Sequence, residues 1–276
     1  VQLVHKNSEL RQLVFEARTA GKKVGFVPTM GALHQGHLSL VELAQNSCDF
    51  VVVSIFVNPL QFGSGEDFDT YPRTLGVDAR MLSDQNVDVL FAPSAHEVYP
   101  PAAPVKQLKA GEMGDSFEGQ VRPGHFDGML TVVNRLFDLV QPDAVFFGQK
   151  DAQQVALVRK LLQDQISSGE RPPVELRIGE TVRSPEGLAL SSRNKFLRPQ
   201  DMAAALSLSR ALFAGQLGQN REEVLRLAAA EISPEARLDY LELVDSKTFQ
   251  PTELENKPAQ LIVAAKVGEV RLIDNV

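Results

Sequence analysis

The sequence predicts an α/β fold, in which a parallel sheet covered by helices on both faces is followed by a smaller α+β domain. Three observations predict it. Apolar runs such as FVVVSIFV (50–57) and AVFFG (144–148) recur without the polar alternation of a half-exposed strand. Between them lie segments whose apolar residues repeat at helical spacing. After about residue 183 the order changes to two helices followed by strands, which marks a different architecture.

KVGFVP (23–28) is the first strand predicted, and HLSLVELAQNS (37–47) is the helix behind it. FVVVSIFV is the second strand, LGVDARMLSDQ (75–85) a helix, and VDVLFAP (87–93) the third strand. DGMLTVVNRLFDLV (127–140) reads as a helix and AVFFG as the fourth strand. DAQQVALVRKLLQDQI (151–166) is helical because positions 155, 158, 161 and 162 put apolar residues on one face. VELRIGETVR (174–183) ends the first domain, which spans 1–182. Beyond the turn-rich SPEGLALSSRNKFLRPQD, helices over about 201–214 and 220–231 and the strand-like RLDYLELVD and AQLIVAAKV form a second domain, 183–276. Segments 62–74 and 93–126 are long and rich in Gly and Pro, so they are expected to be lids or substrate loops, the second with room for short helices.

A chain of 276 residues with 43% apolar content can build a core in each of two domains. No apolar run approaches the ~20 residues of a membrane span, and the sequence does not begin with a basic stretch followed by an apolar leader, so a cytoplasmic protein without a membrane partner is expected. Cys48 is the one cysteine, which excludes an intrachain disulfide and a cysteine-based metal site. Its place before an apolar strand reads as a small buried hydrophobe. The net charge of −7 and scattered basic residues argue against a nucleic-acid partner.

In a parallel sheet, ligands collect where strands end and helices begin. Three such junctions carry polar residues. In FVPTMGALHQGH (26–37), a helix starting near His37 would aim free N–H groups and its positive dipole end at the loop. Gly31 and Gly36 remove Cβ atoms that would keep a phosphate or purine away, and His34 and His37 add donors, so nucleotide binding outweighs a mere turn or cap. A zinc pair fits less well, because metal-binding histidines on a helix usually lie four apart. In FFGQKDAQQ, Lys150 opposes the helix dipole unless an anion binds there, whereas Asp151 is equally explained as an N-cap. Gln154 shares a helix face with Lys150. In LALSSRN (188–194), two hydroxyls and a guanidinium suit phosphate oxygens, and in NPLQF the amide of Gln61 can hold a substrate hydroxyl or carboxylate.

PTMGALHQGH, IFVNPLQF, YPRT, EGQVRPGHFDGMLTVV, FFGQKDAQQ and LSSRN stand in the order and near the spacings of the pantoate-β-alanine ligases, and over about 26–200 the sequence resembles that family. The resemblance implies a Rossmann-like sheet with an H-x-G-H signature and a two-step reaction. The carboxylate of (R)-pantoate attacks ATP, giving pantoyl adenylate and pyrophosphate; the amine of β-alanine then displaces AMP. Magnesium is implied with the ATP, and a homodimer as the usual assembly.

By matching motifs, the resemblance implies that Met30, Gly31, Ala32, Leu33, His34, Gln35, Gly36 and His37 wrap the nucleotide, with His37 as proton donor to the leaving side. Gly148, Gln149, Lys150 and Asp151 are implied in ATP binding, as are Val182 and Leu190, Ser191, Ser192 and Arg193. His34, His37, Lys150 and Arg193 are the implied catalytic set, Gln61 and Gln154 hold pantoate with Gln61 also near the β-alanine path, and Asp78 is the magnesium-linked acid. Leu190 departs from the family's usual methionine, a swap that nearly conserves volume. Rival readings are another adenylyltransferase of this superfamily, which would keep AMP on its product, and a nucleotide sensor without turnover. An aminoacyl-tRNA synthetase also uses paired histidines, but the acidic charge and short length oppose it.

Overall fold

β1 (Gln2–Val4), α1 (Asn7–Thr19), β2 (Val24–Thr29), α2 (Gln35–Gln45) and β3 (Phe50–Ile55) open the chain. A 3-10 turn (Pro59–Gln61), α3 (Leu75–Asp84), β4 (Val89–Phe91), and the short helices α4 (Ala95–Val98), α5 (Glu112–Asp115) and α6 (Glu118–Val121) follow. α7 (His125–Val140), β5 (Ala144–Gly148), α8 (Ala152–Ser167) and β6 (Glu175–Gly179) complete the sheet region. Then come α9 (Met202–Gly215), α10 (Arg221–Glu231), β7 (Ala236–Asp245), β8 (Ala259–Val267) and β9 (Val270–Asn275). This computed structural model describes residues 1–63, 65–102, 105–255 and 258–276. It divides into Val1–Gly148 with Leu157–Gly179, and Gln149–Ala156 with Glu180–Val276.

In the first unit the six strands run in the order β1-β4-β3-β2-β5-β6, with every pairing parallel. Alternation along each strand separates two apolar faces. Val27, Val51, Val53, Leu90 and Phe146 pack with Leu40, Val41 and Ala44 of α2 and Leu82 of α3. On the other face Phe26 and Phe147 meet Phe137 of α7 edge to face. Burial on both faces is why these strands read as unbroken apolar runs. The order also has a switch point: from β2 the chain builds outward through β3 and β4 on one side, and β5 and β6 lie on the other. The crevice between the carboxyl ends of β2 and β5 is therefore where such a sheet receives a ligand.

The second unit carries an antiparallel sheet, β7-β8-β9, against which α9 and α10 pack. Its core joins Leu208 and Leu212 of α9 and Val224 of α10 to Leu261, Val263 and Val267 of β8. The α/β and α+β classes are thus as predicted. β1, α1 and β9 were not anticipated, and α2 starts two residues before the predicted helix. The unit boundary falls at Gly179/Glu180, and residues 149–156 group with the second unit. Asn275 of β9 ties them there, donating from Nδ2 to the carbonyls of Gln149 (3.0 Å) and Lys150 (2.8 Å). Among the described residues no helix is long and apolar enough to cross a membrane.

Candidate active site

The loop after β2 turns on two left-handed residues, Gly31 (φ 86°) and Ala32 (φ 51°). A Cβ on Gly31 would lie 3.0 Å from Ile55 and 3.3 Å from the Asp78 carboxylate, so glycine is required there by both backbone and space. The Thr29 hydroxyl accepts the Gly31 N–H (3.1 Å). Asp78, in the first turn of α3, accepts the N–H groups of Ala32 (3.0 Å) and Leu33 (2.9 Å) and the Thr74 hydroxyl (3.1 Å). One carboxylate thus satisfies consecutive loop donors that would otherwise be buried unpaired.

Asp78, expected as the magnesium-linked acid, here also holds the loop. Its side chain is 1% exposed and both oxygens are committed to the loop. Asp78 thus anchors the loop between β2 and α2.

His34 is the N-cap of α2, extended at φ −143° and ψ 177°, and its Nδ1 accepts the N–H of Gly36 at 3.1 Å. Three residues on, His37 Nδ1 accepts the N–H of His34 at 3.2 Å. The two rings lie 4.1 Å apart, tilted by 47°. Because each Nδ1 accepts from the backbone, each neutral imidazole carries its proton on Nε2. The capping that starts the helix also sets both rings as Nε2–H donors at its positive end. The earlier helix start has this cause, since ring nitrogens here replace the usual hydroxyl or carboxylate cap.

Gln61 ends the 3-10 turn that follows β3. Fully buried Asn58 donates from Nδ2 to Gln61 Oε1 (3.1 Å) and to the Gly128 carbonyl (3.0 Å), while its Oδ1 accepts from Leu60 N–H (3.2 Å) and Tyr99 hydroxyl (2.8 Å). With its oxygen held, the Gln61 amide is left as an NH2 donor. A cavity of about 360 Å³ opens at the carboxyl ends of β2, β3 and β4, lined in part by Met30, Gly31, Phe56, Phe68, Arg73 and Thr74. The 62–74 loop borders it through Phe68 and Arg73, with Arg73 stacked over the Phe68 ring at 5.2 Å.

Within the second unit, Lys150 Nζ lies 3.3 Å from Asp151 Oδ1, and the Lys150 side chain is 19% exposed. The Asp151 carbonyl accepts the Val155 N–H (3.0 Å) where α8 begins, and Gln154 is half-buried. Val182 accepts the N–H of Leu190 (2.9 Å), joining the two strands of a hairpin that turns through Gly187. Ser191 Oγ accepts the Arg193 N–H (3.3 Å). Bidentate pairing of Arg183 with Asp274, at 2.5 and 2.9 Å, holds the hairpin to β9. Asn58, Asn275 and Arg183 hold these segments through hydrogen bonds, and the motifs did not single them out. Asn58 stood inside the quoted NPLQF, whereas nothing local flags Asn275.

A doubly wound parallel sheet, with a histidine-capped helix N-terminus beside its switch point, defines a class: α/β proteins that hold anionic substrates at the carboxyl edge. Within that class the chain belongs to the pantoate-beta-alanine ligase family, whose family model matches residues 2–276. It is 48% identical to the pantothenate synthetase of Nocardioides sp., over 99% of this chain and 84% of that one. The crystal structure of pantothenate synthetase from Thermus thermophilus superimposes with a TM-score of 0.91 at 45% identity, covering 100% of this chain and 99% of that one. That of the Francisella tularensis pantoate-beta-alanine ligase, complexed with beta-gamma ATP and beta-alanine, gives 0.80 at 36% identity, covering 100% and 97%.

Proposed function

We propose that the protein condenses (R)-pantoate with β-alanine to pantothenate at the expense of ATP, through a pantoyl-adenylate intermediate. The observation that carries this reading is the family match over residues 2–276. The geometry of the β2–α2 loop supports it chemically.

In the first step a pantoate carboxylate oxygen bonds to the α-phosphorus of ATP and the bond to the β-phosphate oxygen breaks. The carboxylate is already ionised at neutral pH, so this step needs no base. It needs charge neutralisation on the departing pyrophosphate. The Nε2–H groups of His34 and His37 suit that task, with His37 giving its proton to the leaving side. Lys150 and Arg193 supply cationic charge, and the loop Met30–His37 with Gly148–Asp151, Val182 and Leu190–Arg193 holds the nucleotide. Gln61 and Gln154 hold pantoate. In the second step the neutral amine of β-alanine bonds to the acyl carbon, AMP leaves with the bonding electrons, and the nitrogen gives up one proton to solvent. Magnesium belongs to this reading as the counter-ion of the phosphates, and no step runs through it. A cytoplasmic homodimer completes the reading; sedimentation at twice the chain mass checks the assembly.

Incubating the protein with ATP, magnesium, pantoate and β-alanine, and omitting each in turn, tests the function. Free AMP should form only in the complete mixture. AMP retained in covalent linkage would identify an adenylyltransferase, and ATP binding without pantoate-dependent pyrophosphate release would identify a sensor.

A further inference from the structure

The segment EGQVRPGHFDGM (118–129) has so far supplied no residue to the reaction, although it holds a histidine, an arginine and a glutamate. In the first unit the histidine and the arginine form a chain of contacts that ends on Glu66. His125, the first residue of α7, places Nδ1 2.9 Å from the Gln61 carbonyl oxygen and Nε2 3.1 Å from Arg122 Nη1. A carbonyl only accepts and a guanidinium only donates, so the ring is neutral, with Nδ1–H donating to Gln61 and Nε2 accepting from Arg122. Burial, aided by the Arg122 charge, holds the His125 pKa down to about 4 and keeps it in that form.

Arg122 extends the chain. Its Nε and Nη2 grip both oxygens of Glu66 at 2.9 and 2.6 Å, in the planar bidentate geometry that gives such pairs direction as well as strength. Burial alone would raise the Glu66 carboxyl, but the Arg122 hydrogen bond and charge hold it below its usual range. Glu66 belongs to the 62–74 loop, which also contributes Phe68 and Arg73 to the cavity at the carboxyl edge. The contacts therefore run from that loop to the backbone of the residue whose amide faces substrate in the proposed reaction.

We propose that Glu66, Arg122 and His125 are positioning residues that fasten the 62–74 loop to the Gln61 turn, and thereby set affinity for the hydroxy-acid substrate. The inference rests on the reading of Gln61 as a pantoate donor. From its other side Gln61 is held by Asn58, so its carbonyl and its amide oxygen are both fixed. Releasing either lets the NH2 group wander from its acceptor, which weakens binding of the ligand it meets and spares ligands it does not.

Steady-state kinetics of His125→Asn, His125→Gln, Glu66→Gln and Gln61→Ala test this. Asparagine keeps a donor near the Nδ1 position, whereas glutamine keeps only the group near Nε2. His125→Gln and Glu66→Gln are expected to raise the KM for pantoate about five- to tenfold, the scale of one lost hydrogen bond, with the KM for ATP within about twofold. His125→Asn should restore most of the loss. Equal changes in both KM values, no change in either, or failure of asparagine to do better than glutamine would overturn the proposal. Gln61→Ala separates the two readings. An unchanged pantoate KM in that variant removes Gln61 from the substrate site, whereas a raised one alongside unaffected His125 variants removes only the positioning chain.

Discussion

His37 uses one ring nitrogen for structure, and the chemistry proposed for it falls to the other. Nδ1 accepts the His34 N–H and so helps to start α2, which leaves Nε2–H as the donor. The two roles separate in His37→Asn, whose short amide keeps a group near Nδ1 and lacks Nε2. The melting temperature is expected to stay near wild type while AMP formation falls by ~10² to 10³, the usual effect of removing one preorganised donor. Near-normal turnover would remove His37 from the reaction. Asp78 has a structural task of its own, since its carboxylate accepts two loop N–H groups. Asp78→Ala would leave the Ala32 and Leu33 N–H groups unpaired, at about 1–3 kcal/mol each, and chemical denaturation should show the loss. His125 adds a pH dependence. Its folded pKa of about 4 lies below its usual 6.5, because burial and then the Arg122 charge lower it by more than the Gln61 hydrogen bond and the Glu118 and Glu66 charges raise it. Between those values the unfolded chain binds more protons, so stability is retained above about 6.5 and falls as pH drops towards 4, by at most about 3 kcal/mol. Denaturant midpoints across that window should fall more steeply for wild type than for His125→Asn.

The elements most legible in sequence are those whose pattern is self-contained. β5 has the boundaries of its apolar run, and α8 is displaced from its periodic segment by one residue. β1 is only three residues long, and α1 leaves Phe15 66% exposed, so neither carries a pattern that outweighs its surroundings. At α2 the helix start depended on two imidazoles acting as caps, a role that propensity assigns to other residue types. The crossing of α7 over the 3-10 turn was equally hidden. A Cβ on Gly128 would sit 1.9 Å from the Leu60 carbonyl oxygen, so this glycine sets how closely the helix approaches the turn bearing Gln61. Gly128→Ala must push backbone apart, and a loss of about 3 kcal/mol is expected in thermal or denaturant unfolding, accompanied by weaker pantoate binding. Wild-type stability in that variant would show the turn to be free to move.

At the scale of the molecule, binding energy from the ligand should appear as stability. ATP with magnesium at a hundredfold excess over its Kd is expected to stabilise the native state by about 2.7 kcal/mol, measurable as a rise in melting temperature. Lys150→Ala and Arg193→Ala should each reduce that rise while leaving the melting temperature without ATP near wild type. A full rise in both variants would remove these cations from the nucleotide site. The sequence by itself determined the alternation of strands and helices, the pairing of His34 with His37 and the family, because each is written in neighbouring residues or in motif order. Strand order, the switch point beside β2 and the long-range partners of Asp78, Gln61 and Lys150 were decided only by the tertiary structure. Those partners lie 45 to 125 positions away along the chain. No local pattern encodes which distant group satisfies a buried donor or acceptor, since that choice follows from how the sheet and helices pack.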